Sequence, residues 1–452
     1  MDLTAPPPPA TYTAPVEQTE RLVILDSLRG IAILGILLMN IPGFGLPLVM
    51  IEDISIRQEY SGINFYVWAA ANGVFEGTLR SIFSMLFGAG MLLFISRLEK
   101  RLPGLLPAEY FFRRQLWLLA FGLFDAYFLL WSGDILFKYA LCGMLLFAFK
   151  NLSPKHLIIA SLACLIIFTT RENIERIRTV NEIEAGEKAL LLKEKGAPLT
   201  TKQSDAIAFI QGMKEENTPE AKRKNAEVET RLMQGNYAEV YQNRSADAYR
   251  NETSHFFYHY VWDILIFMFL GMAFFKTGVL TGAVPTRTYL YMLFVGLGIG
   301  ALLSYYNLYF IYRVNYNWYE YHKQAPFSFY EIARVFRSLG FFALVMLLYK
   351  VKGLQRLFDL MRPVGQMAFT NYLMQSILCG LVFYGFGLGL YGKLQRYELY
   401  YVVGAVWVIQ IIYSHIWLRY YRFGPFEWAW RSLTYWKMQP MRKVERKDNT
   451  IN

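Results

Sequence analysis

The chain has 452 residues, of which 55% are hydrophobic and 18% charged, and its formal net charge is +11. Long uncharged stretches alternate with a charge-dense segment at 171–253, which is typical of membrane spans separated by solvated loops rather than of a soluble enzyme. The basic residues lie in short clusters beside apolar segments, which argues against nucleic-acid binding, and the three cysteines all lie in apolar segments, which excludes a disulfide framework.

Residues 1–21 are proline-rich and lack the pattern of a cleavable signal peptide, so the first apolar segment is expected to be an uncleaved anchor. A helix needs about 20 apolar residues to cross the hydrocarbon core, and about ten segments approach that length. They lie near 22–41, 77–96, 111–131, 134–150, 154–171, 256–278, 287–311, 329–349, 366–388 and 399–418. The predicted fold class is therefore all-α, a polytopic transmembrane helix bundle.

The predicted organisation places two membrane halves, at 22–171 and 255–435, on either side of a polar loop at 172–254, with a basic tail at 436–452. Lys and Arg concentrate in one alternate set of short loops and in the tail, so both termini are expected in the cytoplasm and the polar loop outside it. That loop has a helical composition with breaks near Gly196 and Thr218-Pro219, and its last part, 237–249, is amphipathic. It is expected to form either a small cap or a mobile insert.

Ionisable residues are costly inside a membrane and therefore point to function. Asp26 and Arg29 lie three residues apart at the start of the first span, on one helix face. Two interpretations remain open: an ion pair that fixes packing, or an anion site in which Arg29 binds phosphate. Gly30 leaves room for another helix close by.

Glu76 and Arg80 lie four apart at the start of the second span, on one predicted face, and are either a structural pair or part of a functional site. Asp125 lies inside the third span without an obvious local partner. Asp134 follows at a tight turn, where an Asp usually caps the next helix.

His255, His259 and Asp263 recur at a spacing of four near the outer end of the sixth span, which predicts one shared face. An interfacial aromatic belt, a general base and a metal site are all compatible with this pattern.

Several motifs resemble the bacterial YeiB-like family, whose C-terminal domain has no assigned function. They are Asp26-Ser27-Leu28-Arg29-Gly30, the run 83–90, Gly133-Asp134-Ile135-Leu136, the run 367–376 and the run 423–435. The last two add the intramembrane polar residues Asn371, Gln375, Glu427 and Arg431. The family often has His where this chain has Asp125 and Arg where it has Gln366. The resemblance implies a multi-pass protein of the bacterial inner membrane.

The opening motif is more distantly similar to integral-membrane acyltransferases, such as the sugar N-acetyltransferases of lysosomes and the O-acyltransferases of bacterial envelopes. This similarity implies an acyl donor, such as acyl-CoA, whose phosphates would contact Arg29 with Arg113 and Arg114. His255 or Asp263 would deprotonate an envelope glycan, lipid or exported acceptor. Two rival hypotheses are a small-solute transporter, suggested by the intramembrane carboxylates, and a scaffold whose loop binds a partner.

Overall fold

The computed structural model describes residues 23–325 and 327–443, and these residues form helices without a β-strand. The proline-rich segment 1–21 and the end of the basic tail lie outside the described residues. The described α-helices are α1 Val23–Gly45, α2 Leu48–Glu52, α3 Gly62–Ala70, α4 Thr78–Arg101, α5 Leu106–Tyr127, α6 Leu136–Leu146, α7 Pro154–Glu194, α8 Thr201–Glu216, α9 Pro219–Met233, α10 Tyr237–Glu252, α11 Val261–Lys276, α12 Thr286–Arg313, α13 Trp318–Gln324, α14 Tyr330–Tyr349, α15 Gln355–Gln366, α16 Ala368–Phe383, α17 Leu399–Tyr420 and α18 Pro425–Tyr435.

The chain is an α-helical membrane protein. By length and composition, 7 helical segments of the described chain can cross a membrane: Val23–Gly45, Gly62–Arg101, Pro154–Glu194, Tyr237–Lys276, Thr286–Arg313, Tyr330–Tyr349 and Leu399–Tyr420. Two shorter apolar segments, Leu136–Phe149 and Ala368–Phe383, coincide with two further predicted spans. The α5 helix, which covers the predicted span 111–131 as far as Tyr127, is not among these segments. About ten spans and the cytoplasmic termini therefore stay predictions.

The α1 helix lies at the centre of the bundle. Beyond its first two turns its side chains are mostly apolar, and Leu28, Ile33 and Leu37 are buried, as expected for a helix surrounded by others. It contacts α4, α15, α16 and α17. The expected close neighbour of Gly30 is α15, because a Cβ atom on Gly30 would lie 2.1 Å from the carbonyl oxygen of Met361.

The bundle is less buried at its periphery, where α12, α17 and the first part of α7 present apolar side chains outward. Phe294 on α12, for example, is 71% exposed. Such outward apolar surfaces fit contact with lipid, since hydrocarbon is as apolar as these side chains. The protein is thus expected to face the bilayer with these three helices.

The α7 helix is longer than the sequence predicted. The polar loop was expected to begin at 172, but α7 continues without interruption to Glu194, over 41 residues. At 1.5 Å per residue it is about 60 Å long, roughly twice the thickness of the hydrocarbon core. Its sequence has no proline after Pro154, so nothing stops the helix before Gly196, which adopts a positive φ of 71°.

The polar segment forms a cap on one end of the bundle, and its extracytoplasmic location stays a prediction. The predicted breaks separate α7, α8 and α9, and Thr200 and Thr218 each cap the helix that follows. The cap is bonded to several loops: Lys222 to Asp53 at 2.7 Å, Arg244 to the carbonyl of Gly43 at 2.9 Å, and Asn251 to the carbonyl of Ser132 at 3.0 Å. These loops therefore share one side of the bundle, as the predicted alternation requires.

The α10 helix corresponds to the amphipathic segment 237–249. Its apolar residues Val240 and Ala248 are fully buried, and the Tyr237 hydroxyl donates to the carbonyl of Phe128 at 3.0 Å. The aliphatic residues of this segment are thus covered by the chain itself, whereas Tyr241 and Tyr249 are exposed.

Glycines on α12 offer a matched test of the helix packing. A Cβ atom on Gly296 would lie 2.6 Å from the backbone nitrogen of Gly340 on α14, whereas one on Gly298 would meet nothing within 4 Å. Gly296→Ala is expected to separate the two helices and cost about 1–3 kcal/mol of unfolding free energy. Gly298→Ala is expected to be neutral or slightly stabilising. Thermal unfolding of both purified variants tests this, and equal midpoints would contradict the packing.

Candidate functional site

An arginine-rimmed cavity opens at the end of the bundle opposite the cap, and its volume is ≈ 270 Å³. The residues at its mouth are Arg29 of α1, Arg97 of α4, Arg114 of α5 and Arg431 of α18. The cavity is named after these four arginines. The carboxylates of Asp26 and Glu427 also line it. Four guanidinium groups and two carboxylates leave the lining with a net charge of +2.

The interior of the arginine-rimmed cavity is mostly apolar and aromatic. Phe83 and Phe87 of α4, Leu136 and Tyr139 of α6, and Tyr372 of α16 line it. Since α6 begins just after the turn that Asn251 of the cap contacts, the cavity extends from the arginine mouth well toward the cap side. It is therefore amphipathic along the axis of the bundle.

Contacts between neighbouring helices orient the arginines at the mouth. Arg29 donates from Nη1 to Oδ1 of Asp26 at 3.0 Å, which confirms the pair predicted from the spacing of three. The guanidinium of Arg114 lies 3.5 Å from the ring centroid of Trp430 on α18, whose indole N–H donates to the carbonyl of Arg114 at 2.8 Å. This stacking holds a cation at the cavity wall through an aromatic face rather than a carboxylate.

Arg113 lies elsewhere. It pairs with Glu109, donates to the carbonyl of Thr434 at 3.2 Å and does not line the cavity. Of the three arginines predicted to bind phosphate, the structure brings Arg29 and Arg114 together and separates Arg113 from them.

Glu427 links α18 to the start of α16. Its Oε1 accepts the backbone N–H groups of Phe369 at 2.8 Å and Thr370 at 3.0 Å, and its Oε2 accepts the Thr370 hydroxyl at 2.5 Å. A carboxylate at a helix N-terminus satisfies backbone donors that lack a partner within the helix. Two of the sequence motifs thus meet here and place Arg431, one turn further along α18, at the cavity.

Asn371 and Gln375 belong to a buried amide network. Asn371 donates to the carbonyl of Val364 and to Ser414, both at 3.0 Å, and Gln375 donates to the carbonyl of Ile33 at 3.0 Å. Gln410 of α17 joins both residues. The network connects α1, α15, α16 and α17 behind the cavity.

Asp134 caps α6, as predicted: its carboxylate accepts the N–H groups of Leu136 at 3.0 Å and Phe137 at 2.8 Å. The Tyr372 hydroxyl, which lines the cavity, also contacts Asp134 at 3.2 Å. Asp125 lies beside Asp134, Ser376 and Tyr372 and is 0% exposed. Neither of its carboxylate oxygens makes a hydrogen bond to a described residue.

The predicted pairing of Glu76 with Arg80 is wrong. A π-helical turn at Ala71–Phe75 ends at Glu76, and Gly77 adopts a positive φ of 68° before α4 begins, so the two side chains do not share a helix face. Glu76 instead contacts Arg337 at 3.4 Å and the Tyr330 hydroxyl.

Arg80 binds Asp263 of α11 at 2.6 Å, and Arg334 of α14 binds both Asp263 and Glu331. Arg80, Asp263, Glu331 and Arg334 form a buried ion network between α4, α11 and α14. The Tyr139 hydroxyl joins this network to the cavity, since it contacts Ser84 at 2.5 Å and the carbonyl of Arg80 at 3.2 Å.

The predicted common face of His255, His259 and Asp263 is wrong for Asp263, whereas the rings of His255 and His259 lie next to each other with centroids 6.2 Å apart. A π-helical turn at Phe256–Tyr260 inserts an extra residue into the turn and changes the direction of the side chains. Asp263 is buried in the ion network, whereas His255 is exposed and contacts Asn251 at 3.2 Å. His259 packs against the rings of Phe168 and Tyr258. The described residues contain no group of three or more His, Cys, Asp or Glu that could hold a metal.

Sequence reasoning missed several residues of these sites. Glu331, Arg334 and Arg337 lie within the predicted span 329–349, where the cost of burying charge would have indicated them. Arg97 and Trp430 carry no such signal. Arg97 directly follows the predicted span 77–96, and Trp430 is one residue of the motif 423–435. Gln115 was also missed; it lines the cavity and its carboxamide oxygen is buried without a hydrogen-bond partner among the described residues.

Comparison with known proteins places these features in a family. Residues 274–437 match the family described as "Protein of unknown function (DUF418)". This region contains α12 to α18 and therefore the Glu427 cap, the amide network and one arginine of the cavity mouth.

The chain is 30% identical over 442 residues to the uncharacterized protein YxaH of Bacillus subtilis, covering 95% of this chain and 98% of that protein. It is also 30% identical over 417 residues to the uncharacterized protein YeiB of Escherichia coli, covering 92% and 96%. An uncharacterized 39.9 kDa protein of Bacillus acidopullulyticus is 26% identical over 436 residues, covering 94% and 97%. The resemblance inferred from the motifs is confirmed: the chain belongs to the YeiB-like family of membrane proteins, which contain the DUF418 domain.

Proposed function

We propose that the protein transfers an acyl group from a phosphate-bearing thioester donor, such as acyl-CoA, to an envelope or exported acceptor. The observation that carries the proposal is the arginine-rimmed cavity, which joins a positive mouth to an aromatic interior. Such a donor has a polyanionic head, which would match the positive mouth, and an apolar acyl end, which would match the aromatic interior. Guanidinium groups suit the head, because they bind phosphate oxygens through paired N–H donors.

Gln115 in the lining of the cavity could form a hydrogen bond with such a donor. Gln115 is 1% exposed, and its carboxamide oxygen faces no donor among the described residues. The arm that connects the phosphates of acyl-CoA to its thioester contains amide N–H groups. A buried acceptor left without a partner costs free energy, and an amide N–H from the ligand would remove that cost.

The reaction breaks the bond between the donor sulfur and the acyl carbon and forms a bond from that carbon to an acceptor oxygen or nitrogen. The proton of the acceptor passes to a base, and the thiolate that leaves takes up a proton. Asp125, with its neighbour Asp134, is the base best supported by position, since Tyr372 connects Asp134 to the cavity. Asp263 is less suitable, because guanidinium groups occupy both of its carboxylate oxygens.

We further propose the bacterial inner membrane as the location, with the arginine mouth in the cytoplasm and the cap outside. The asymmetric distribution of Lys and Arg among the short loops supports this orientation. Acyl-CoA would then be available at the mouth, and an envelope acceptor would approach beneath the cap.

Proton-coupled transport of a small solute is the second candidate function. The buried Asp125–Asp134 pair favours it, because intramembrane carboxylates often carry protons in transporters. A scaffold that binds a partner through segment 237–249 has less support, since the apolar residues Val240 and Ala248 of α10 are already buried within the chain.

Two arginines provide a matched test of donor binding. Arg29→Gln and Arg113→Gln each remove one positive charge near the same end of the bundle, but only Arg29 lines the cavity. Arg29→Gln is expected to weaken the affinity for acyl-CoA about tenfold, the loss of one hydrogen bond to a charged group. Arg113→Gln is expected to leave the affinity unchanged. Equilibrium binding of acyl-CoA to the detergent-purified proteins measures both.

The same experiment needs a control for folding, which the thermal midpoint of each variant without ligand provides. Equal loss of affinity in the two variants would point to general electrostatic attraction and would remove the cavity from the proposal. Wild-type protein that binds no acyl-CoA would move transport to first place.

Asp125→Asn distinguishes the two candidate functions. If Asp125 accepts the proton of the acceptor, the variant is expected to bind acyl-CoA like the wild type but to lose at least about 100-fold in transfer rate, the usual size of a general-base contribution. The measurements are donor binding and release of free thiol in reconstituted membranes. Thiol release at the wild-type rate, together with loss of proton-coupled solute flux, would instead support transport.

A further inference from the structure

A second cavity lies between the cap and the bundle, and its volume is ≈ 450 Å³. We name it the outer pocket. Its lining includes Glu52 and Asp53 of the chain after α1, Glu216 and Lys222 of the cap, and Tyr316 and Trp318 before and in α13. No motif and no step of the proposed reaction assigns a role to it.

Hydrogen bonds join the segments that form the walls of the outer pocket. The backbone N–H of Leu48 donates to Glu229 of α9 at 2.9 Å. Lys222 donates to Asp53 and to the carbonyl of Tyr316, both at 2.7 Å. The side chain of Asn217 accepts the backbone N–H of Trp318 at 2.9 Å. The three segments are thus fastened to one another, which lowers the ordering cost of binding a ligand between them.

The charge of the outer pocket is not balanced by its own residues. Its lining holds the carboxylates of Glu52, Asp53 and Glu216 and the single ammonium of Lys222, which leaves a net charge of −2. Lys222 is committed to Asp53 by a close ion pair. Tyr316 also belongs to the lining, and its hydroxyl has no hydrogen-bond partner among the described residues although Tyr316 is 1% exposed.

An aromatic wall completes the outer pocket. Trp318 is 40% exposed, and an indole is the side chain that attracts cations most strongly through its face. An aromatic face beside carboxylates suits an organic cation, which offers carbon surface as well as charge. We propose that the outer pocket binds a small organic cation, with its amine between Glu52 and Glu216 and its carbon skeleton against Trp318.

This site does not depend on the proposed acyl transfer. The test uses the full chain in detergent and pairs of probes that differ only in charge. The measured quantity is the midpoint of thermal unfolding. Ethanolamine is compared with ethylene glycol, glucosamine with glucose, and spermidine with an uncharged triol. A ligand that binds only the folded protein raises that midpoint in a saturable manner.

The expected result is a saturable rise with at least one amine and none with its uncharged counterpart. Glu52→Gln and Glu216→Gln should each weaken that response about tenfold, through the loss of a charge-assisted contact. Glu215→Gln is the matched control, because Glu215 is the neighbouring exposed carboxylate and does not line the outer pocket. The proposal is overturned if no amine has an effect, if the uncharged partner acts equally, or if Glu215→Gln weakens the response as much as the other two.

Discussion

Charged side chains that lie inside a membrane bundle must find their partners there, because the surrounding hydrocarbon offers no water. Arg334 is 0% exposed, and it is neutralised by Asp263 and Glu331, while Arg80 approaches the same Asp263 from the opposite helix. A buried ion network of this kind contributes little net stability, but removal of one member leaves the others uncompensated. The positions of α4, α11 and α14 relative to one another therefore depend on it.

The ion network also divides the molecule along the membrane axis. On one side the arginine-rimmed cavity carries an excess of positive charge, and Tyr139 marks the point where its lining meets the network. At the other end, the cap is bonded to the loops that it covers, and between them lies a pocket with an excess of negative charge. The two cavities of the described bundle therefore carry net charges of opposite sign.

The sequence predicted features that depend on local spacing within one continuous helix. Asp26 and Arg29 pair as expected, Asp134 caps α6, and Gly30 marks a close helix contact. Predictions from spacing were wrong where the helix is not continuous. The π-helical turns before Gly77 and after His255 change the direction of side chains that a spacing of four would align. Such a turn adds one residue to the helix, and hydrophobic periodicity over a few residues does not detect it.

Contacts between segments that are distant in the chain could not be predicted from the sequence either. Arg113 and Arg114 are adjacent and chemically identical, yet only Arg114 stacks on Trp430 and reaches the cavity. That choice is set by the rotation of α5 against α18, which are more than 300 residues apart in the chain. The outer pocket likewise could not be predicted, because it forms only where the cap packs against α2 and α13.

The central claim is that the arginine-rimmed cavity holds a phosphate-bearing acyl donor. A cryo-electron microscopy structure of the protein with a non-hydrolysable acyl-CoA analogue would test it most directly. The account predicts phosphate density within about 3 Å of at least two of the guanidinium groups of Arg29, Arg97, Arg114 and Arg431, with the acyl end between Phe83 and Tyr372. A bound analogue located elsewhere, or a lipid chain that fills the cavity while the analogue is present, would contradict it.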